Sequence, residues 1–198
     1  MNKELYEKYK DLSRKVLNLR FTLLCLSGNL EEVSYILTSP DLKVHADIHT
    51  RGDQGLIYAF DGKHYDLVKY LLSSTNLKEH ADINVSHGSV LLQCCVDGNL
   101  DMVKFLLSAP ILKQHIDIEY HDDGFILACK NHHLDIIQYF IFDMQINKTI
   151  HIKNYLNEKD NDKSFIEQVN HLFSLRELGE NLEKELSTET ENTRKMKI

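Results

Sequence analysis

Eleven histidines and four cysteines are the side chains in this 198-residue sequence best suited to metal or thiol chemistry, and their spacing tests that chemistry directly. His45, His80 and His115 stand 35 residues apart, since 80 − 45 and 115 − 80 give the same number. A residue that returns once per repeating unit forms a column. Packed helices lie about 8–10 Å apart, whereas zinc ligands converge to about 2 Å from one ion. The three histidines therefore read as a ladder in which each ring braces its own connector by a local hydrogen bond, and neither a metal nor another cofactor is expected. Cys25, Cys95 and Cys129 share a repeat position that Phe60 occupies in the second unit. A position that accepts Phe is a packing position. No Gly-rich phosphate loop and no local Ser, His and Asp arrangement stands out, so an enzyme is not expected.

The elements that position these columns repeat with them. "HADI" at His45 to Ile48 returns at His80 to Ile83, as "HIDI" at His115 to Ile118, and more weakly as "TIHI" at Thr149 to Ile152 after 34 residues. Upstream, Leu30, Val33, Ile36 and Leu37 recur as Tyr65, Val68, Leu71 and Leu72, as Leu100, Val103, Leu106 and Leu107, and as Leu134, Ile137, Phe140 and Ile141. The i, i+3, i+6, i+7 spacing puts each set on one face of a helix. Asn29 and Asn99 stand where an Asn side chain caps the first free amides. Ahead of each helix lies a second apolar segment: Phe21 to Leu26, Leu56 to Phe60, Leu91 to Val96 and Phe125 to Cys129. The unit reads helix, tight turn, helix and extended connector, with Pro40 and Pro110 marking where two second helices end. A period of this length makes each unit one supersecondary element that stacks on its neighbours.

These units resemble ankyrin repeats. "CCVDGNLDMVKFLLS", from Cys94 to Ser108, is similar to that family's "AAxxGHxxxVxxLL" core, and "HADIN", from His80 to Asn84, to its "GADVN". The likeness covers roughly residues 19 to 152. The family's "TPLH" is replaced by "QGLI" at Gln54 to Ile57, by "SVLL" at Ser89 to Leu92 and by "DGFI" at Asp123 to Ile126, and the connectors exceed the family norm of about 33 residues per repeat by about two. The fold expected is all-α, an ankyrin-like helix-turn-helix repeat solenoid with N- and C-terminal capping helices. Its boundaries are a capping helix over 1–18, four repeats at 19–50, 51–84, 85–119 and 120–153, capping helices or a degenerate fifth repeat over 154–188, and a flexible tail at 189–198.

The ends carry their own patterns. Leu5, Tyr9, Leu12 and Val16 suit one amphipathic helix over the first 17 residues. Phe165, Val169, Leu172 and Phe173 mark one face, and Leu175, Leu178, Leu182 and Leu186 another. Burial against the fourth repeat is the expected fate of these leucines, with a dimeric coiled-coil seam as the alternative. A net charge of −7 argues against a nucleic-acid backbone as ligand. The longest apolar runs fall short of the roughly 20 residues that span a bilayer, the N-terminus lacks a secretory pattern, and the cysteines form no disulfide framework. A cytoplasmic protein, monomeric by preference, is expected.

In the family resembled, partners bind hairpin tips and the exposed side of the first helices. Carried onto this sequence, the tips are Arg51 and Asp53, then Val85, Ser86 and His87, then Tyr120, His121 and Asp122. The first-helix positions are Tyr58 and Asp61, Gln93, Val96 and Asp97, and Leu127, Lys130 and Asn131. These residues differ from copy to copy while the apolar columns repeat. The function implied is a non-enzymatic protein–protein interaction module; the alternative is an inhibitor of pathogen or viral type that covers a basic, nucleic-acid-binding surface of a host enzyme. Tyr35, Tyr70, Phe105 and Tyr139 form a further aromatic column, read either as filler between repeats or as exposed anchors.

Overall fold

The computed structural model describes residues 2–117, 119–159 and 161–195. Met1, Ile118 of the third motif, Asp160 of the polar stretch and residues 196–198 of the expected tail lie outside the described residues. The fold class is all-α: helices supply the regular structure and no strand occurs among the described residues. The chain divides into two compact units, Met1–Cys94 with Asp101–Tyr120, and Cys95–Leu100 with His121–Ile198.

The first unit begins with α1 (Lys3–Tyr9) and α2 (Arg14–Ser27), which are separate helices where the sequence suggests one. Ser13, with extended φ −70° and ψ 157°, starts α2 afresh. Serine favours that entry position over a helix interior, because its hydroxyl competes for backbone groups. The new start turns Leu17, Phe21 and Cys25 into the core and leaves Val16 40% exposed. Gly28, at φ 71°, closes α2 with amide bonds to the carbonyls of Leu24 and Cys25. Next comes α3 (Leu30–Thr38), whose first turn is capped as expected: Asn29 Oδ1 accepts from the Glu32 amide at 3.1 Å. The ring of Tyr9 in α1 faces Tyr35 of α3 at 6.3 Å, and its hydroxyl donates to Glu32.

The connector geometry after α3 is repeated after α5 (Tyr65–Ser73), which follows α4 (Thr50–Asp61). Ala46 donates its amide to Ile36 O at 3.0 Å, and Ala81 to Leu71 O at 3.0 Å. His45 Nε2 donates to Ser39 O at 2.7 Å and His80 Nε2 to Ser74 O at 2.9 Å. These are the braces that the histidine column implies. His115, the third member, is exposed, and its carbonyl accepts from Asn84 Nδ2 at 3.4 Å. Within α4, and within α6 (Val85–Asp97), three leading residues turn the other way. Arg51, Gly52 and Asp53 have φ of 55°, 64° and 56°, while Ser86, His87 and Gly88 have 50°, 59° and 67°. The right-handed helices therefore start at Gln54 and Ser89, ahead of the expected apolar segments. The helix α7 (Leu100–Ser108) buries Met102, Val103, Leu106 and Leu107. In the aromatic column, Tyr35, Tyr70 and Phe105 are half-buried, and Tyr70 Oη donates to Ser34 Oγ at 3.0 Å.

The second unit holds most of α8 (Glu119–Lys130), α9 (Leu134–Gln138) with a π-helical continuation at Tyr139–Asp143, α10 (Ile150–Leu156) and α11 (Lys163–Lys195). Its core is aromatic. Phe125 lies edge-on to Phe140 at 6.1 Å and tilted against Phe173 at 5.8 Å, and Ile136, Ile137, Ile152, Phe165 and Val169 of the same unit are buried. One continuous helix, α11, carries both faces expected near the C-terminus and runs through 189–195, the stretch assigned to a tail. Phe165, Ile166, Val169 and Phe173 are buried, whereas Leu175, Leu178, Leu182 and Leu186 are 45–63% exposed instead of covered by the fourth repeat. At the boundary between the two sets, Arg176 Nη1 donates to Ile146 O at 2.6 Å and ties α11 to the preceding loop.

Candidate protein-binding surface

In the first unit, the tip residues Arg51, Ser86 and His87 are exposed on the two left-handed turns. In these turns the left-handed backbone costs about 1–2 kcal/mol for each residue that carries a Cβ. Hydrogen bonds hold them: Gly52 donates to His49 O at 3.0 Å and Gly88 to Asn84 O at 3.1 Å. Asp61 is exposed at the end of α4 and Gln93 in the middle of the right-handed part of α6, and Tyr58 is half-buried.

Three predicted residues of this unit serve the fold. Asp53 is only 7% exposed; its Oδ1 accepts from the Asp82 amide at 3.0 Å and lies 3.0 Å from His49 Nδ1. Val85 is 8% exposed, part of the core. Tyr120 is half-buried with its ring against the Gly88 backbone, where a Cβ on Gly88 would stand 2.7 Å from Tyr120 Cδ2. Asp53 and Val85 are accordingly corrected from surface residues to interior ones.

In the second unit, Asp97, Lys130 and Asn131 are exposed, while Val96, His121, Asp122 and Leu127 are half-buried. Several are already engaged. Val96 O accepts from His133 Nε2 at 2.8 Å, Leu127 O accepts from Asn131 Nδ2 at 2.9 Å, and Asp122 accepts from the Thr149 hydroxyl. The Lys130 ammonium sits 5.9 Å from the centre of the Tyr155 ring. His121 packs edge-on to Phe140 at 6.4 Å with Nε2 buried and unpartnered, and burial lowers its pKa below the ordinary value, against a smaller opposing effect of Asp122.

The electrostatics offer little to covalent chemistry. Burial pushes the Cys25, Cys95 and Cys129 thiols up to about 12, which suppresses the reactive thiolate. Tyr155 is also raised to about 12, by burial first and then by neighbouring Cys129 and Glu158. Among the described residues, no three His, Cys, Asp or Glu side chains converge as a metal site would require. No helix among them is long and apolar enough to cross a membrane.

Two surface features escaped the sequence reading. A cleft of about 540 Å³ lies between the first two connectors, bounded by Leu37, Pro40, His45, Asn76 and Leu77. Its one imidazole, on His45, is spent on Ser39 O. The other is the outer face of α2, where Val16, Leu19, Leu23 and Leu26 are 40–50% exposed. Their 3, 4, 3 spacing is the available signal, and it is masked because Val16 also continues the Leu5, Tyr9 and Leu12 series. Comparison of the chain with protein-family models, with characterised proteins and with solved structures finds no match.

Proposed function

We propose that this chain is a non-enzymatic protein-interaction module, an ankyrin-like array of helix-turn-helix repeats that binds a partner protein through its hairpin tips and first helices. One observation carries this reading. Positions 51 and 86, and 52 and 87, share the same left-handed backbone in register, yet the side chains on it change from Arg to Ser and from Gly to His. Backbone strain repeated at equivalent positions keeps a loop geometry, and variable exposed side chains on that geometry are what recognition requires. The inner bonds of the same repeats, from Ala46 and Ala81 and from His45 and His80, do not vary.

The contact set on the first unit is then Arg51, Ser86, His87, Tyr58, Asp61 and Gln93. A combined Arg51→Glu, His87→Ala and Gln93→Ala variant tests it against the cells that make the protein. Proteins retained by the wild-type chain and lost by the variant, at unchanged Tm, support the reading. Retention of the same proteins by both removes this surface from consideration.

A further inference from the structure

We propose that the apolar face of α2 binds the leucine face of α11 from a second copy of this chain. Each face is exposed, each is one helical stripe, and their edges carry opposite charge. On α2, Val16, Leu19, Leu23 and Leu26 are 40%, 49%, 50% and 49% exposed. At 100° per residue they line one side of the helix, with the exposed cations Lys15 and Arg20 on its two edges. The helix contains no acidic residue. On α11, Leu175, Leu178, Leu182 and Leu186 are 45%, 59%, 59% and 63% exposed. Exposed Glu183 and Glu185 lie on the two edges of that stripe, three residues from Leu186 and from Leu182 respectively, while Arg176, seven residues before Glu183 on the same edge, is only 12% exposed and is held by Glu180 and by Ile146 O.

The dimensions agree. Val16 to Leu26 spans about 15 Å of helix and Leu175 to Leu186 about 17 Å, at 1.5 Å per residue. Leu175, Leu178, Gly179 and Leu182 also stand at i, i+3, i+4 and i+7, the four corners of a hole that accepts a knob from a facing helix. Gly179 opens one corner, since nothing lies within 4 Å of where its Cβ would be. Leu19 and Leu23 are knobs of the size to enter it.

Charge selects this pairing over the symmetric ones. Two α11 faces brought together would set the edges that carry Glu183 and Glu185 against each other, and two α2 faces would do the same with the edges that carry Lys15 and Arg20. Like charges across a helix seam disfavour both. The contact is therefore heterologous, a basic-edged stripe on one copy against an acidic-edged stripe on the other.

The test is sedimentation velocity on the full chain from low to high micromolar concentration, with the Lys15→Glu/Arg20→Glu and Glu183→Lys/Glu185→Lys variants. Wild type should self-associate, more weakly as salt rises, and each variant alone should lose association by at least about tenfold, the effect of about 1.4 kcal/mol. An equimolar mixture of the two variants should recover it, because every contact between unlike copies is again complementary. Overturning results are a wild-type chain that stays monomeric throughout, variants that associate like wild type, or a mixture that remains dissociated. Every substitution lies on an exposed edge, and circular dichroism of each variant checks that its helices persist.

Discussion

The carboxylate of Asp53 accepts the backbone amide of Asp82 at 3.0 Å, tying the turn that opens one first helix to the connector that leads to the next. The same join occurs 35 residues earlier, where Asn18 Oδ1 accepts the Asp47 amide at 2.8 Å. Thirty-five residues later the donor is again in register, at Asp117, but position 88 is Gly. Asn84 supplies the acceptor instead, at 2.9 Å. The amide position is fixed by the repeat and the acceptor is found wherever the chain offers one.

Removing the Asp53 acceptor should therefore destabilise the first unit. Asp53→Ala leaves the Asp82 amide without its partner in a part-buried site, a loss of about 1–3 kcal/mol. Asp53→Asn keeps an acceptor oxygen and should lose less. Urea denaturation of the two variants beside wild type measures the difference; equal loss in both would mean that the carboxylate charge, rather than the amide bond, matters at this position.

Legibility in the sequence followed the physics of each position. The Val33, Val68, Val103 and Ile137 column is readable because burial leaves few residue types, and all four are fully buried. His45 and His80 were readable because a strict period excludes convergence on one ion. Asp53 is not readable in this way: an acidic residue in a turn looks solvated until the amide 29 residues away is placed beside it. The left-handed turns were equally hidden, since Arg51 and Ser86 have no intrinsic preference for positive φ. At the C-terminus the periodic leucines were seen, but periodicity gives the face of a helix and not what covers it.

The cysteines should be chemically silent in the folded protein. All four are buried and outside any disulfide, and three have thiols raised to about 12. A colourless disulfide reagent that releases a chromophore on thiol attack should report almost no reaction near pH 8 in buffer, and four thiols per chain in denaturant. Prompt reaction of any one without denaturant would show local opening around it.

Gly28 is held by two independent requirements. Its φ of 71° is a left-handed conformation, and an added Cβ would stand 2.3 Å from His64 Nδ1. That ring is itself positioned by a 3.1 Å bond from Nε2 to Leu26 O. Gly28→Ala should therefore lose more than the roughly 1–2 kcal/mol of backbone strain. Combining it with His64→Ala removes the clash, so the double variant should be less destabilised than the sum of the singles. A double-mutant cycle by chemical denaturation gives the coupling directly; additive losses would place the whole effect in the backbone.

His121 makes the second unit sensitive to mild acid, and the sign follows from its surroundings. Its ring packs on Phe140 and its Nε2 is buried without a partner, so burial favours the neutral form and lowers the pKa from 6.5, with Asp122 opposing to a smaller degree. The unfolded chain then takes up this proton at higher pH than the folded one does. The contribution is intact above the unfolded value of 6.5 and is lost as pH falls through the depressed folded value. His121→Phe keeps a flat ring against Phe140 and removes the titrating group, so its stability should decline less than that of wild type between about pH 8 and about pH 5, the range in which histidine changes charge. Urea midpoints for both proteins across that range provide the measurement. Parallel curves would show that the proton is taken up elsewhere.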